Sequence, residues 1–179
     1  LTGNHHKTGT DRIFEAYKKL GINDVDYILN IQGDEPALDE QDIINLYNLM
    51  IKNNSHIGTL AAENEDKNFF LNENIVKVDT QEKLNNTNFP LALSFSRKYE
   101  SRINENVYHH IGMYAYDVKT LEKFIHLKQT KNEIKNRLEQ LRALDNNLKI
   151  NVALAKFSPI GVDTKEDYLA LKKIMEYKS

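Results

Sequence analysis

The sequence predicts an α/β domain, a mixed but mostly parallel sheet flanked by helices. Short apolar runs of strand length alternate along the chain with stretches of helical spacing, the order that builds a parallel sheet covered by helices. No internal repeat and no Pro/Gly-rich linker interrupts that alternation, so residues 1–179 read as a single domain. The 179 residues, 40% of them hydrophobic and 28% charged, suit one packed core.

Each element has its own signal. Ile13, Phe14, Tyr17 and Leu20 recur at helical spacing, and Thr10 is placed to cap that helix ahead of Asp11. Tyr27–Ile31, apolar throughout except at Asn30, is an interior strand. Asp39–Met50 is a helix whose acidic first turn suits the helix dipole. HIGTLA (56–61) and NIVKVD (74–79) are strands joined by a polar connection, and LALSFSR (91–97) and VYHHIGMYAY (107–116) are two more. Val118–Leu127 is a helix. EIKNRLEQLRAL (133–144) is another, with Ile134, Leu138, Leu141 and Leu144 as its apolar stripe. INVALAKF (150–157) is the last strand, and Asp163–Tyr177 is the closing helix, opened by DTKED. The opening LTGNHHKTGT reads as the end of a strand running into a loop; with leucine rather than methionine at position 1, it predicts that sequence is missing upstream.

Composition removes several function classes. Lys and Arg (24) nearly balance Asp and Glu (26), so no basic excess points to nucleic acid and no acidic tail to disorder. No apolar run approaches the roughly 20 residues that span a bilayer, which argues against membrane insertion. Cysteine is absent. Disulfides, thiolate nucleophiles and cysteine–zinc sites are excluded, and a reducing cytoplasm fits. No charged-then-apolar leader is present.

Ligands of open α/β sheets collect beyond the carboxyl ends of the strands. Two acidic features lie there: Asp34-Glu35, just after the strand at 27–31, and Asp163, a short turn after the strand at 150–157. Two carboxylates converging on one crevice make a seat for Mg²⁺, which takes one or two carboxylates and completes its octahedron with phosphate oxygens and water. The plainer readings are a turn former for Asp34 and a helix N-cap for Asp163. Gly33 and Pro36 favour the ligand reading at the first, because one allows close backbone approach and the other holds the exit. A Thr8-Gly9-Thr10 turn leading into a helix offers N–H groups and hydroxyls to a phosphate or base edge. FSR (95–97), HIGMYAY (110–116) and LEQLR (138–142) add Arg97, His110, Glu139 and Gln140. Arginine suits a carboxylate and the others suit a polyol. On composition alone LEQLR is an ordinary amphipathic helix, with Leu138 and Leu141 inward and Glu139, Gln140 and Arg142 solvated.

Taken in order, HHKTGTDR, NIQGDEP, FSR, HIGMYAY, LEQLR and GVDTKEDY resemble the 3-deoxy-manno-octulosonate cytidylyltransferases, or CMP-Kdo synthetases. The resemblance runs from residue 1 to about 175. It implies a Rossmann-like nucleotidyltransferase fold, a homodimer, and Mg²⁺-dependent transfer of a cytidylyl group from CTP to Kdo, giving CMP-Kdo and pyrophosphate for lipopolysaccharide assembly. Carried over by position, Asp34 and Asp163 match the metal-binding aspartates. Thr8, Gly9, Thr10 and Gln32 match the nucleotide contacts, and Arg97, His110, Glu139 and Gln140 match the sugar pocket.

Three positions depart from the family pattern. Lys98-Tyr99-Glu100 replaces a run toward proline after FSR, only Glu133 remains of a Pro-Leu-Glu stretch, and Asp117 stands where a basic residue is common. They leave a sialic-acid-like acid sugar as an alternative acceptor. The family also begins with a strand and a Gly/Arg/Lys loop that grips the triphosphate, forming a βαβ unit expected upstream of Leu1. The chain alone is therefore expected to bind CTP poorly and to be inactive, and a non-catalytic remnant is the third reading.

Overall fold

The computed structural model describes residues 1–31, 33, 38–64, 68–98, 105–158, 165, 168, 169, 172 and 173. Six strands form one mixed sheet flanked by helices, as the alternation predicts. In chain order the elements are α1 (Gly9–Leu20), β1 (Tyr27–Asn30), α2 (Glu40–Asn53), β2 (Ile57–Ala62), β3 (Lys77–Thr80), β4 (Ala92–Ser96), β5 (Val107–Asp117), α3 (Val118–Ile125), α4 (Lys131–Asn136), α5 (Leu141–Asp145) and β6 (Asn151–Leu154). Lys165, Tyr168, Leu169, Lys172 and Lys173 are also helical, within the stretch read as the closing helix.

The sheet runs β4-β3-β5-β2-β6, with β1 on β5 beside that path. Its strand directions correct the expectation of a mostly parallel sheet. β1, β2, β3 and β6 do run one way, but β5 lies antiparallel against three of them, and β2–β6 is the only parallel pairing among the described strands. Alternation of strands and helices reports direction; it does not report that the longest strand inserts the other way.

β5 also organises the site. One of its edges pairs with β2 from Tyr116 down to His109. Its other edge pairs with β1 at residues 114–117 and with β3 at 107–109. The two partners stand end to end, and residues 110–113 of β5 lie between their paired segments. The register of β2 on β5 slips in the same region, from Thr59↔Tyr114 to Leu60↔Ile111, so β5 bulges there.

Alternating side chains feed two cores. Ile57 and Ala61 of β2 join Tyr108, Tyr114 and Tyr116 of β5 on one face, covered by Leu121 and Phe124 of α3 and by Leu138 and Leu141. Leu60 and Ala62 join Ile111, Met113 and Ala115 on the other, under Leu46, Leu49 and Met50 of α2. α2 packs closely enough that a Cβ on Gly58 would meet Met50 Sδ at 2.5 Å, Phe89 Cζ at 2.9 Å and Leu46 Cδ1 at 3.0 Å. Gly58 is the saddle on which the helix sits.

Local chemistry sets the helix ends. Thr8, not Thr10, caps α1, its hydroxyl accepting from Asp11 N–H at 3.3 Å. The cap lies two residues earlier than the apolar spacing shows because Gly9 and Thr10 are already helical and Thr10 is buried. Asp39 caps α2, and Asp117 caps α3. The helix expected over 133–144 is two. Thr130 and Glu133 form a capping box that starts α4, Arg137 ends it in the left-handed region at φ 53°, and α5 restarts at Leu141. Ile134, read as part of the apolar stripe, is accordingly exposed, while Leu138 and Leu141 are buried.

Residues 1–8 form no strand, contrary to the sequence reading. They lie along α1 instead. Gly3 N–H donates to Glu15 Oε2 at 2.9 Å, and Lys19 Nζ donates to the Leu1 carbonyl at 3.0 Å.

Candidate active site

The uncovered edge of β5 opens a cleft of about 310 Å³ on the face that carries α1, α4 and α5. His110, Gly112, Tyr114 and Tyr116 line its floor, one side chain every second residue of β5. Asn30 at the end of β1 and Asn74 and Val76 ahead of β3 border the gap. Arg97 closes it from beyond β4, Thr10 from α1, and Arg137, Leu138, Glu139 and Gln140 from the α4–α5 connection.

Five of the residues singled out by sequence therefore meet in one place: Thr10, Arg97, His110, Glu139 and Gln140. Thr8 joins them indirectly. The Thr8 and Thr10 side chains stand close enough to the Glu139 carboxylate to favour its charged form, and Thr10 does the same at the Tyr116 phenol. Gly9 is exposed in the first turn of α1. Gln32, Asp34 and Asp163 lie outside the described residues.

Burial tunes the titrating groups. His110 is 7% exposed, and desolvation, helped by neighbouring His109, lowers its pKa to about 3. It is a neutral imidazole whose Nε2 stands 3.0 Å from both Thr59 Oγ1 and Tyr114 OH. Thr59 donates its own proton to the Met113 carbonyl at 2.8 Å, so this network assigns the hydrogen to His110 Nε2 and the lone pair to Nδ1. Burial pushes Glu139 upward, opposed by the Thr8 and Thr10 hydroxyls and by the Arg142 guanidinium. Glu139 Oε1 has no hydrogen-bond partner among the described residues, with Arg142 Nη2 3.8 Å away. Arg97 is held by the Glu73 and Asn74 carbonyls, 3.3 and 3.4 Å from its Nη1. Beneath it, buried Lys77 donates to the Arg97 carbonyl at 2.8 Å and to Asn72 O at 2.5 Å.

The connection that carries Glu139 and Gln140 is anchored from below. Arg142, read from sequence as solvated, is 2% exposed. Its Nε and Nη2 bind the Glu133 carboxylate at 2.9 and 2.6 Å, and its guanidinium stacks 4.8 Å from the Phe124 ring centre. Glu133 thus caps α4 and grips α5 together, which explains why it persists where the rest of the Pro-Leu-Glu pattern is gone. Asp117 spends its carboxylate on the Thr120 N–H and hydroxyl and on His56 Nδ1, at 2.7, 2.9 and 2.6 Å, and is not among the cleft-lining residues.

Sequence reasoning missed Asn30, Tyr114, Tyr116 and Arg137. Asn30 carried a signal, a lone amide in an apolar strand, and it is 4% exposed at the edge of the cleft. Tyr114 and Tyr116 share a face with His110 by strand alternation. Arg137 had none, because its place in the lining depends on the helix break.

The described flanks of the two acidic segments are also tied together. Asp42, in the first turn of α2, accepts the Lys156 N–H on both carboxylate oxygens at 3.1 Å, joining the chain after Asp34 to the chain before Asp163.

Comparison with known proteins agrees with this geometry. A family model described as cytidylyltransferase matches residues 1–150. The chain is similar to 3-deoxy-manno-octulosonate cytidylyltransferase of Bartonella bacilliformis, 40% identical over 98% of this chain and 72% of that protein. It is 37% identical to the enzyme of the same name from Thermodesulfovibrio yellowstonii, with the same coverage of both chains. Among solved structures it superposes on CMP:2-keto-3-deoxy-manno-octonic acid synthetase complexed with CTP, with a TM-score of 0.85 at 27% identity, over 99% of this chain and 72% of that one. A UDP-glucose pyrophosphorylase shares the fold alone, with a TM-score of 0.64 at 14% identity over 98% of this chain and 62% of its own. Motif order, sheet and relatives converge: the chain belongs to the cytidylyltransferase family, among the 3-deoxy-manno-octulosonate cytidylyltransferases.

Proposed function

We propose that the protein transfers the cytidylyl group of CTP to 3-deoxy-manno-octulosonate, releasing pyrophosphate and supplying an activated sugar for lipopolysaccharide assembly. The observation that carries the reading is the cleft itself. It sets two guanidinium side chains, Arg97 and Arg137, around a floor of hydroxyl, amide and neutral imidazole groups, as a polyhydroxylated acid requires.

In this reaction the sugar's anomeric oxygen bonds to the α-phosphorus of CTP. The bond from that phosphorus to the bridging oxygen breaks, pyrophosphate leaves with the electron pair, and the hydroxyl proton passes to solvent or base. The chain's own residues position the acceptor. Arg97 and Arg137 take the carboxylate, Gln140 and Glu139 take ring hydroxyls, and His110 offers a polar contact without adding charge. Thr8, Gly9, Thr10 and Gln32 are assigned to the nucleotide. Standing beside Glu139, Thr8 and Thr10 link the two halves of the site. Holding reactants in line supplies much of the rate in phosphoryl-type transfer.

Asp34 and Asp163 are assigned to Mg²⁺. Their hard oxygen donors suit that ion, and the Asp42–Lys156 clamp between the flanking segments supports a shared seat. Bound there, the ion supplies charge neutralisation at the triphosphate. Asp34→Asn or Asp163→Asn is expected to lower kcat by about a hundredfold or more, read as pyrophosphate release. Near-normal turnover in both removes the metal assignment.

The test of the whole reading is pyrophosphate release by the full-length gene product with CTP, Mg²⁺ and a panel of keto-acid sugars. Activity with Kdo supports it. Activity with a sialic-acid-like sugar and none with Kdo reassigns the acceptor, and no turnover with any of them favours the non-catalytic remnant. A homodimer follows from the family resemblance and is checked by sedimentation equilibrium. The reaction is placed in the cytoplasm, where CTP is made, and no helix among the described residues is long and apolar enough to cross a membrane.

A further inference from the structure

We propose that His5, His6 and Glu15 form a second, separate metal site, selective for a zinc-class dication. One ligand atom from each side chain lies within 4.8 Å of the others. His6 Nε2 already contacts Glu15 Oε2, and the His5 and His6 rings lie with centres 4.4 Å apart and planes at 35°. Two imidazoles and one carboxylate match the donor set of three-ligand zinc sites, with the fourth position left to water. Zinc's ligands sit about 2.0–2.2 Å from the ion. Binding at that distance requires the exposed His5 and the half-buried Glu15 side chains to rotate toward one another.

The backbone is shaped around this cluster. A Cβ on Gly3 would fall 2.5 Å from the His5 ring and 3.5 Å from Glu15 Oε2, so glycine keeps the cradle open. The Gly3 N–H donates to the same Oε2. Glu15 Oε1 is engaged by Lys19 Nζ at 2.5 Å, which leaves Oε2 as the oxygen facing the imidazoles.

Donor chemistry separates this site from the Mg²⁺ seat. Imidazole-rich sites favour Zn²⁺, Ni²⁺, Co²⁺ and Cu²⁺, whereas Mg²⁺ takes oxygen donors and keeps several waters. Position gives the site a consequence. An ion bridging His5 and His6 to the second turn of α1 fixes the segment that runs directly into Thr8, the cap of α1, whose side chain stands beside Glu139 of the cleft. Its occupancy would therefore set how firmly that cap is held.

The experiment is calorimetric titration of the chelator-treated full-length gene product with Zn²⁺, first without and then with a large excess of Mg²⁺. A single tight equivalent is expected, and Co²⁺ in its place should give the visible absorption of a tetrahedral site. His5→Ala, at an exposed ring, and Glu15→Gln should each weaken Zn²⁺ binding by more than about tenfold. His56→Ala, at a ring bonded to Asp117 and outside the cluster, should leave it unchanged. Circular dichroism confirms that each variant is folded. Zinc binding abolished by Mg²⁺, or unaltered in both His5→Ala and Glu15→Gln, overturns the proposal. The readout is metal binding, so the result is independent of which sugar the cleft accepts.

Discussion

His110 concentrates the chemistry of the cleft in one ring, and its burial has a cost that pH reveals. In an unfolded chain histidine takes up a proton near pH 6.5. In the folded chain desolvation delays that until about pH 3 for His110 and about pH 4 for His109. Between those values the unfolded state binds more protons, so stability falls as pH falls, with a slope approaching about 1.4 kcal/mol per pH unit for each ring. Melting temperature is therefore expected to drop from pH 7 to pH 5. His110→Gln, which keeps a donor near the Nε2 position for Thr59, should flatten the drop, and parallel curves for the two proteins would show that His110 is not its source. The motif HIGMYAY announced this residue, but not its state. Neutrality comes from burial, helped by His109, and the Thr59 contact at Nε2 is brought in by strand pairing across 51 positions. Asp34 and Asp163 are the reverse case: the sequence proposes them as a pair from their places after two strands, and both lie outside the described residues, which include only their flanks.

At the scale of elements, the α4–α5 break decides the shape of the cleft. Continuous helix over 133–144 would carry Glu139 and Gln140 along a regular face; the left-handed Arg137 turns the chain and presents them with Arg137 in the lining. Helical periodicity could not show this, because Leu138 and Leu141 stay buried either way, and the deciding signal is the pairing of Glu133 with Arg142. Both side chains are nearly inaccessible, at 4% and 2% exposure. Removing one partner strands a buried charge, at a cost of about 3–5 kcal/mol. Glu133→Ala should lower the urea midpoint accordingly, and the stranded Arg142, already 3.8 Å from Glu139 Oε1, should draw that carboxylate out of the cleft and raise the KM for the sugar. The double variant Glu133→Leu/Arg142→Met should recover much of the stability and little of the KM. A double variant no more stable than Glu133→Ala would show that shape, not charge, makes the pair necessary. Strands were more legible than helix ends because two-residue alternation survives in any sheet, and their positions held even though the insertion of β5 reversed most pairings.

Across the whole molecule, the site depends on parts distant in sequence being held at one end of the sheet. β1, β2, β3 and β6 all point toward that end, so the chain leaving β1 and the chain leaving β6 emerge on the same side. Between them lie β5 and β2, and the described link across that distance is Asp42, 114 residues before the Lys156 amide it binds with both oxygens. Asp42 is 8% exposed, and burial pushes its pKa up against the opposing pull of the Lys156 N–H. If Asp34 and Asp163 share one ion, the clamp positions them without touching it. Asp42→Ala should then cost about 1–3 kcal/mol of stability through the amide left unpaired, and it should raise the Mg²⁺ concentration needed for half-maximal pyrophosphate release. Saturating Mg²⁺ should restore most of kcat, because the ion's own ligands remain. Asp42→Asn, which keeps one acceptor oxygen, should fall between the two proteins in Mg²⁺ requirement. A loss of kcat that Mg²⁺ cannot restore would instead place Asp42 in the reaction itself, and an unchanged Mg²⁺ requirement in Asp42→Ala would show that the ends of β1 and β6 are set by the sheet alone.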